Sequence, residues 1–346
     1  VQRYAHEIVR ALDAHIAAEH PLTRGLHVEL VLPEAVTLPY PLQAIPVRVA
    51  GGASGHLWEQ IVLPGAARGG ILNLCNTGPL RVRKQLVCIH DVNTRICPGS
   101  YSWKFRALYR VLHPLLGRVA ERISTVSQFS ASEIARLGIA PPEKISVIPD
   151  GYEHALHWEP KHSEVTRAVA GPDTVLIIGS PAPHKNVGLV LGLAEALKAA
   201  GLRVAVAGAR DARVFSGVPD LAGADNIVWL GRVSDAELAA LLRDCLCLAF
   251  PSLTEGFGIP ALEAMALGCP VVVSDRASLP EICGDAALYA SPDDAQAWLR
   301  QLKLLKSDAR LRGDLVAKGP AQAAKFSWRR SAELYLEAMA RSDGAL

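Results

Sequence analysis

Short, mostly apolar runs that alternate with amphipathic stretches along almost the whole chain constrain its fold more than any other feature. Thr174–Gly179, Arg203–Gly208, Ile227–Leu230, Cys245–Phe250 and Pro270–Val273 read as strands, and helical periodicity occupies Val187–Ala200, Asp235–Arg243 and Pro260–Leu267 between them. Strands without polar alternation are buried on both faces, as in parallel sheets covered by helices. The first half follows the same grammar. His27–Leu32, Gly70–Cys75, Gln85–His90, Ile123–Val126 and Ile145–Ile148 read as strands, with helices at Val1–Glu19, Trp103–Arg122 and Ser130–Leu137, the last capped by Ser130. This predicts an α/β fold with parallel sheets.

A single core rarely fills a chain of 346 residues with 50% apolar content, so two domains are expected. The mostly polar stretch Tyr152–Asp173, which contains Pro160 and Pro172, is the expected linker. A doubly wound half ordinarily opens with a strand and a glycine-rich loop, yet Val1 begins in a helical pattern. One strand and its loop are therefore expected to lie outside the numbered sequence.

The net charge of +2 carries no nucleic-acid signal, but its distribution is uneven. Residues 81–122 hold nine basic side chains (Arg81, Arg83, Lys84, Arg95, Lys104, Arg106, Arg110, Arg118, Arg122) against Asp91 and Glu121. Such a run is either a solvated helix face or a surface for anionic headgroups or a phosphate-bearing acceptor. Seven cysteines, an odd number with no Cys-x-x-Cys, read as free thiols in a reducing compartment. No apolar run has the length of a membrane span and no signal peptide is evident. A cytoplasmic protein, peripheral on the inner face of the plasma membrane, is expected.

The segment from Pro251 to Asp275 carries the chemistry. It places Glu255 on the loop leaving one strand and Glu263 about one turn inside the following helix, with Pro260 suited to the first helical turn. Gly256 and Gly258 keep side chains away from the helix entrance, so backbone N–H groups and the positive end of the helix dipole can face a ligand. An anion beside hydroxyl groups that two carboxylates can bind is the natural guest, which points to a nucleotide sugar.

His90-Asp91, Thr125-Val126-Ser127 before a helix, Ile148-Pro149-Asp150-Gly151, His184-Lys185-Asn186, Glu255 and Glu263 with seven residues between them, and Phe326-Ser327-Trp328 occur in one order and spacing. Together they resemble the retaining GT-B glycosyltransferases of family 4, nearly end to end. The resemblance implies two Rossmann-like domains facing across a cleft: residues 1–160 for the acceptor, with the first strand missing, and residues 161–326 for the nucleotide sugar. Residues 327–346 would form a crossover helix returning to the first domain.

The resemblance also assigns roles. Glu255 would meet the donor sugar's hydroxyls, Glu263 the ribose, Lys185 the β-phosphate, and His90, with Asp91 beside it, the donor sugar from the first domain. Gly256, Phe257, Gly258 and Ile259 would line the nucleotide sugar, as would Ser180 and the Arg232-Val233 backbone near the base. Relatives often carry an arginine near the lysine; Ser180 and His184 stand here instead, and Arg210 is the candidate replacement. Asp150 belongs to a turn. No Asp-x-Asp occurs, so no metal clamp or other cofactor is expected, and Lys185 with the helix dipole would stabilise the leaving group.

Leu57-Trp58-Glu59-Gln60-Ile61 followed by Leu63-Pro64 is similar to a phrase in bacterial exopolysaccharide mannosyl- and rhamnosyltransferases of the same family, with helix packing of Trp58 as the alternative. The resemblance thus implies transfer of a hexose, with mannose from GDP-mannose the first choice, to a polyprenyl-diphosphate-linked oligosaccharide in exopolysaccharide or O-antigen synthesis. Lys104, Arg106, Arg110 and Arg118 are the candidate acceptor or membrane face. A sugar-nucleotide epimerase of the same fold, or an inactive nucleotide-sugar-binding protein, are the alternatives.

Overall fold

The computed structural model describes residues 1–179, 182–208 and 224–342. The chain packs as two compact units, one made of Val1–Arg95, Trp103–Gly151 and the chain from Ser327 onward, the other of Ile96–Ser102 and Tyr152–Phe326.

In the first unit, β1 (Leu30–Leu32) pairs in parallel with β2 (Val47–Val49). A separate parallel sheet has the order β3 (Ile71–Asn73), β4 (Gln85–Cys88), β5 (Arg122–Thr125), β6 (Ile145–Val147). The first and last helices, Gln2–Ala17 and Trp328–Ser342, pack together through aromatic side chains. Tyr4 and Tyr335 share a hydrogen bond of 2.8 Å between hydroxyls, and Tyr335 reaches Ser124 Oγ on β5 at 2.9 Å. Burial pushes both phenols well above their ordinary range, so they stay neutral and can each donate and accept. Ser331 Oγ donates to Pro149 O at 2.6 Å, fixing the C-terminal helix to the turn after β6.

The helix after β5 starts earlier than its sequence suggests. It spans Gln128–Arg136 and is capped by Ser127, whose Oγ accepts from the Ser130 N–H at 3.0 Å. Ser130 is inside the helix, and its hydroxyl donates to His90 O at 3.0 Å. A cap is set by backbone geometry, and Ser127 rather than Ser130 has extended backbone. Trp58, Glu59 and Gln60 tie together their own unit: Trp58 Nε1 donates to Ala50 O (2.6 Å), Glu59 bonds Thr77, and Gln60 bonds the backbone of Gly78 and Leu80.

The second unit is built on one parallel sheet with the order β12-β11-β10-β7-β8-β9. Its strands are β7 (Thr174–Ile178), β8 (Arg203–Ala207), β9 (Ile227–Gly231), β10 (Cys247–Phe250), β11 (Val271–Ser274) and β12 (Leu288–Ala290). Val175, Ile177, Val204, Val206, Cys247, Ala249 and Val272 form its core with Leu191, Leu197, Trp298, Leu302 and Leu305 from the covering helices. β10 and β11 are buried along their whole length, which explains their unbroken apolar runs.

Two expectations need correction here, and one region was not anticipated. The stretch 152–173 is not a free linker: it forms helices Glu153–Leu156 and Glu164–Val169 within the second unit, held by Lys161 N to Ala236 O (3.0 Å) and His162 Nε2 to Asp244 Oδ2 (2.8 Å). The helix expected over Val187–Ala200 is two, Val187–Leu191 and Ala194–Ala199. Glycine at position 192 loosens the ladder there, and Leu193 N–H bonds Val190 O, three residues back. Beyond Asp275, β12 and the helices Ala295–Ser307 and Ala309–Ala323, capped by Asp294 and Asp308, have no counterpart in the sequence reading. All seven cysteines are free, five of them buried; Cys75 is exposed and Cys97 half-buried.

Candidate functional site

In the second sheet, chain order reverses between β7 and β10, which lie side by side. The chain leaves β7 toward β8 on one side and leaves β10 toward β11 on the other. The loops after these two strands therefore part at the carboxyl edge and open the crevice where α/β sheets of this kind bind ligands. Lys185 lies on the first loop and Glu255 on the second, and they meet. Lys185 Nζ donates to Glu255 Oε1 at 2.7 Å and Oε2 at 2.9 Å, and lies 5.5 Å from the centre of the Phe250 ring at the end of β10.

Backbone contacts hold both loops in place. Leu253 N–H donates to His184 O at 2.7 Å, joining one loop to the other. Asn186, in the left-handed conformation at φ 52°, ends the turn Pro183–Lys185, and its side-chain amide donates to Pro292 O at 2.9 Å. His184 N–H donates to Ser100 Oγ at 3.1 Å, and the His184 ring stacks on Tyr101, both from the 96–102 segment that packs with this unit. Ser278 Oγ reaches Phe257 O at 2.8 Å and Glu255 O at 3.1 Å, so a serine absent from the sequence reading pins the Glu255 loop from behind.

Gly258 precedes the helix Ile259–Ala266 with φ +106°, and a Cβ there would come 2.7 Å from Leu279 Cδ2. Only glycine fits that entrance. Pro260 occupies the first helical turn, as its sequence position implies. Gly256 is buried and Ile259 half-buried. Phe257 is buried with its ring edge-on to Phe326 at 5.5 Å, so its backbone is what it can offer a ligand. Glu263 is on the helix and buried, with Oε1 2.8 Å from His154 Nε2. His154 is a second site residue that sequence reading missed, because it falls in the stretch expected as linker.

Arg232, exposed, and Val233, half-buried, follow β9 at the same edge of the sheet. Ser180 and Arg210 lie outside the described residues.

In the first unit, His90 follows β4 and is buried. Its Nε2–H donates to Leu74 O at 2.8 Å, its backbone N–H to Asn76 Oδ1 at 2.7 Å, and Tyr4 packs edge-on at 4.7 Å. Burial lowers its pKa, so the imidazole is neutral near pH 7, with the proton on Nε2.

Also in this unit, every residue from Ser102 to Leu108 is exposed at the start of the helix Trp103–Val119. Lys104, Arg106, Arg110 and Arg118 are all exposed, and so are Trp103 (71%), Phe105 (41%), Leu108 (41%) and Val111 (61%). Lys104 Nζ is 5.8 Å from the Trp103 ring centre. Sequence reading found the charges but not the apolar side chains exposed between them. No helix among the described residues is long and apolar enough to cross a membrane.

Among the described residues, His15, His20 and Glu333 bring three potential metal-ligand atoms within 4.8 Å. Their hydrogen bonds argue for another role. His15 Nε2 donates to Arg329 O at 3.1 Å, and His20 Nδ1 accepts from the Leu22 N–H at 3.3 Å, so one nitrogen of each ring is already committed to backbone. Arg329 and Arg330 already pair with Glu333, so two guanidinium charges oppose a cation. The group joins the first helix to the last.

Comparison with known proteins bears on the class. Residues 159–322 match the family "Glycosyl transferases group 1". O-antigen chain mannosyltransferase B of Escherichia coli is 33% identical over 275 residues, covering 72% of this chain and 68% of that protein. The O-antigen chain mannosyltransferase RfbU of Salmonella typhimurium is 31% identical over 230 residues, 66% of this chain and 62% of its own length. Among solved structures, WaaG, a glycosyltransferase involved in lipopolysaccharide biosynthesis, superposes with a TM-score of 0.70 at 18% identity, covering 98% of this chain and 95% of that one. Anabaena HepE in complex with UDP and glucose gives 0.67 at 18% identity, covering 86% and 87%. The fold is GT-B, with two Rossmann-like parallel-sheet domains. The chain belongs to the group 1 glycosyltransferases, a family of retaining hexosyltransferases.

Proposed function

We propose that the chain transfers a hexose, with mannose from GDP-mannose the first choice, to a polyprenyl-diphosphate-linked oligosaccharide in O-antigen or exopolysaccharide synthesis. The observation that carries the site assignment is the Lys185–Glu255 pair at the switch point of the second sheet, beside the glycine-lined start of the helix Ile259–Ala266. The choice of mannose rests on the relatives, two of them O-antigen mannosyltransferases.

In this reading the donor diphosphate takes the Lys185 ammonium from Glu255, and Glu255 turns to the sugar's hydroxyls. Glu263 binds the ribose. The leaving phosphate oxygen accepts the acceptor hydroxyl's proton on the same face of the sugar, so no enzyme carboxylate has to attack the anomeric carbon. Lys185 and the helix N-terminus stabilise the charge that develops on the diphosphate. His90 is neutral with its Nε2–H committed to Leu74 O, so any part it takes in transfer is as a polar group rather than as a cation. The test is product formation from GDP-mannose, UDP-glucose, UDP-galactose and dTDP-rhamnose with a polyprenyl-diphosphate sugar acceptor. Mannosyl transfer to the lipid is expected. Transfer of a different sugar overturns the donor choice, and epimerised donor without acceptor overturns the transferase reading.

The exposed start of the helix Trp103–Val119 supports peripheral contact with an anionic membrane. Aromatic and aliphatic side chains interleaved with lysine and arginine suit the headgroup layer, where rings sit at the interface and cations meet anionic lipid. Each cation contributes about 1 kcal/mol at such a surface. Charge reversal of Arg106, Arg110 and Arg118 together should therefore reduce co-sedimentation with phosphatidylglycerol vesicles by about a hundredfold or more in partition coefficient. Nucleotide affinity should stay unchanged. Equal sedimentation of variant and wild type would make the face an ordinary solvated one.

A further inference from the structure

Glu263 and His154 lie 109 residues apart in the chain, yet their side chains meet at 2.8 Å with only 4% and 5% of their surfaces exposed. A carboxylate accepts and cannot donate when ionised, so the imidazole Nε2–H is the donor. The ring packs edge-on against Trp158 at 5.6 Å, and the backbone that carries it is fixed where the His154 carbonyl accepts from the His157 N–H at 3.2 Å in the turn that closes the helix Glu153–Leu156. The terminal torsion of a glutamate is broad and roughly two-fold, so helix position alone does not set the plane of its carboxylate. A hydrogen bond from a fixed, buried imidazole to one oxygen does set it, and with it the direction of the other oxygen.

We infer that His154 is a positioning residue for donor recognition, holding the Glu263 carboxylate in the plane that receives the two hydroxyls of the donor's ribose. The inference rests on the reading of Glu263 as the ribose ligand. A pre-set acceptor avoids the ordering cost that a freely rotating carboxylate meets on binding. His154 touches no part of the donor in this arrangement; it acts through Glu263.

The test measures discrimination for the ribose hydroxyls rather than affinity alone, because a merely structural histidine would weaken all nucleotides alike. Affinities are taken by calorimetry for GDP or UDP, whichever the wild-type protein binds more tightly, and for the 2′,3′-dideoxy form of the same nucleotide. Wild type should favour the ribonucleotide by about tenfold or more, the range of hydrogen bonds to a charged group. Glu263→Ala should bring the ratio close to one. His154→Ala should bring it to within about threefold of one, and His154→Gln, whose amide Nε2 can replace the imidazole donor, should restore most of it. Should His154→Ala not fold, His154→Leu fills the space without a donor, and the same ratios decide.

A wild-type ratio in His154→Ala or His154→Leu, with the ratio lost in Glu263→Ala, overturns the positioning role and leaves the ribose reading intact. A wild-type ratio in Glu263→Ala overturns the ribose reading and the inference with it, as does failure of the wild-type protein to bind either nucleotide.

Discussion

Replacing Lys185 by methionine should lower kcat/KM for sugar transfer by about 10²–10³, the range for removal of one preorganised group that stabilises charge in a transition state. The expectation comes from where the ammonium stands. It sits against both oxygens of Glu255, at 2.7 and 2.9 Å, on a loop fixed by Asn186 and by the Leu253–His184 backbone bond. Methionine keeps the length and the contact with Phe250 but carries no charge. Glu255→Gln should fall in the same range, because it alters the partner of the lysine and the acceptor for sugar hydroxyls together.

The double variant should be little worse than the poorer single one, since groups in direct contact do not contribute independently. Steady-state kinetics on the three variants, with circular dichroism to confirm folding, measures this. A Lys185→Met enzyme within threefold of wild type would remove Lys185 from the site. Losses that simply multiply in the double variant would mean that the two residues act separately.

Gly117→Ala should be the most destabilising small substitution in the first unit. Gly117 lies on the helix Trp103–Val119 against the loop after the helix Gln128–Arg136, and a Cβ there would fall 1.7 Å from Ile139 O and 2.7 Å from its carbonyl carbon. Backbone cannot step aside as a flexible side chain can. Lys144 Nζ, bonded to Gly117 O at 2.8 Å and Arg118 O at 3.2 Å, further ties this contact down. The cost should be about 3 kcal/mol, the upper range of overpacking.

Gly313→Ala is the matched control. It is also a helical glycine, on the helix Ala309–Ala323, but nothing lies within 4 Å of its added Cβ. There alanine should stabilise, by about 0.5–1 kcal/mol, because it is the better helix former and narrows the unfolded ensemble. Urea midpoints of the two variants should move in opposite directions. A Gly117→Ala midpoint equal to wild type would contradict the close packing of these two segments.

The fold class was legible because parallel strands buried on both faces leave their mark in local apolar runs; those at Cys247–Phe250 and Val271–Ser274 are examples. The helix entrance at Gly258-Ile259-Pro260 was legible for a similar reason, since glycine and proline report backbone conformation directly. Legibility failed where the signal was weak or was not local. Ser127 and Ser130 are both plausible caps by residue type, and only the backbone angles distinguish them. Asp294 and Asp308 do mark the starts of the helices Ala295–Ser307 and Ala309–Ala323, but no pronounced motif draws attention to that region. The basic run around residue 106 was plain in the sequence, whereas the exposure of Trp103, Phe105, Leu108 and Val111 is set by how the rest of the fold covers that helix.

By itself, then, the sequence determined the alternation of strands and helices, the order of the motifs, the loops on which Lys185 and Glu255 sit, and the helix that carries Glu263. These follow from short-range preferences: apolar period, turn chemistry and the backbone limits of glycine and proline. The tertiary structure alone decided which of those loops meet. Strand order in a sheet is a long-range outcome of packing, and placing β10 beside β7 brings Glu255 onto Lys185 across 70 residues of chain. The same packing brings His154, in a stretch with the composition of a linker, onto the carboxylate of Glu263.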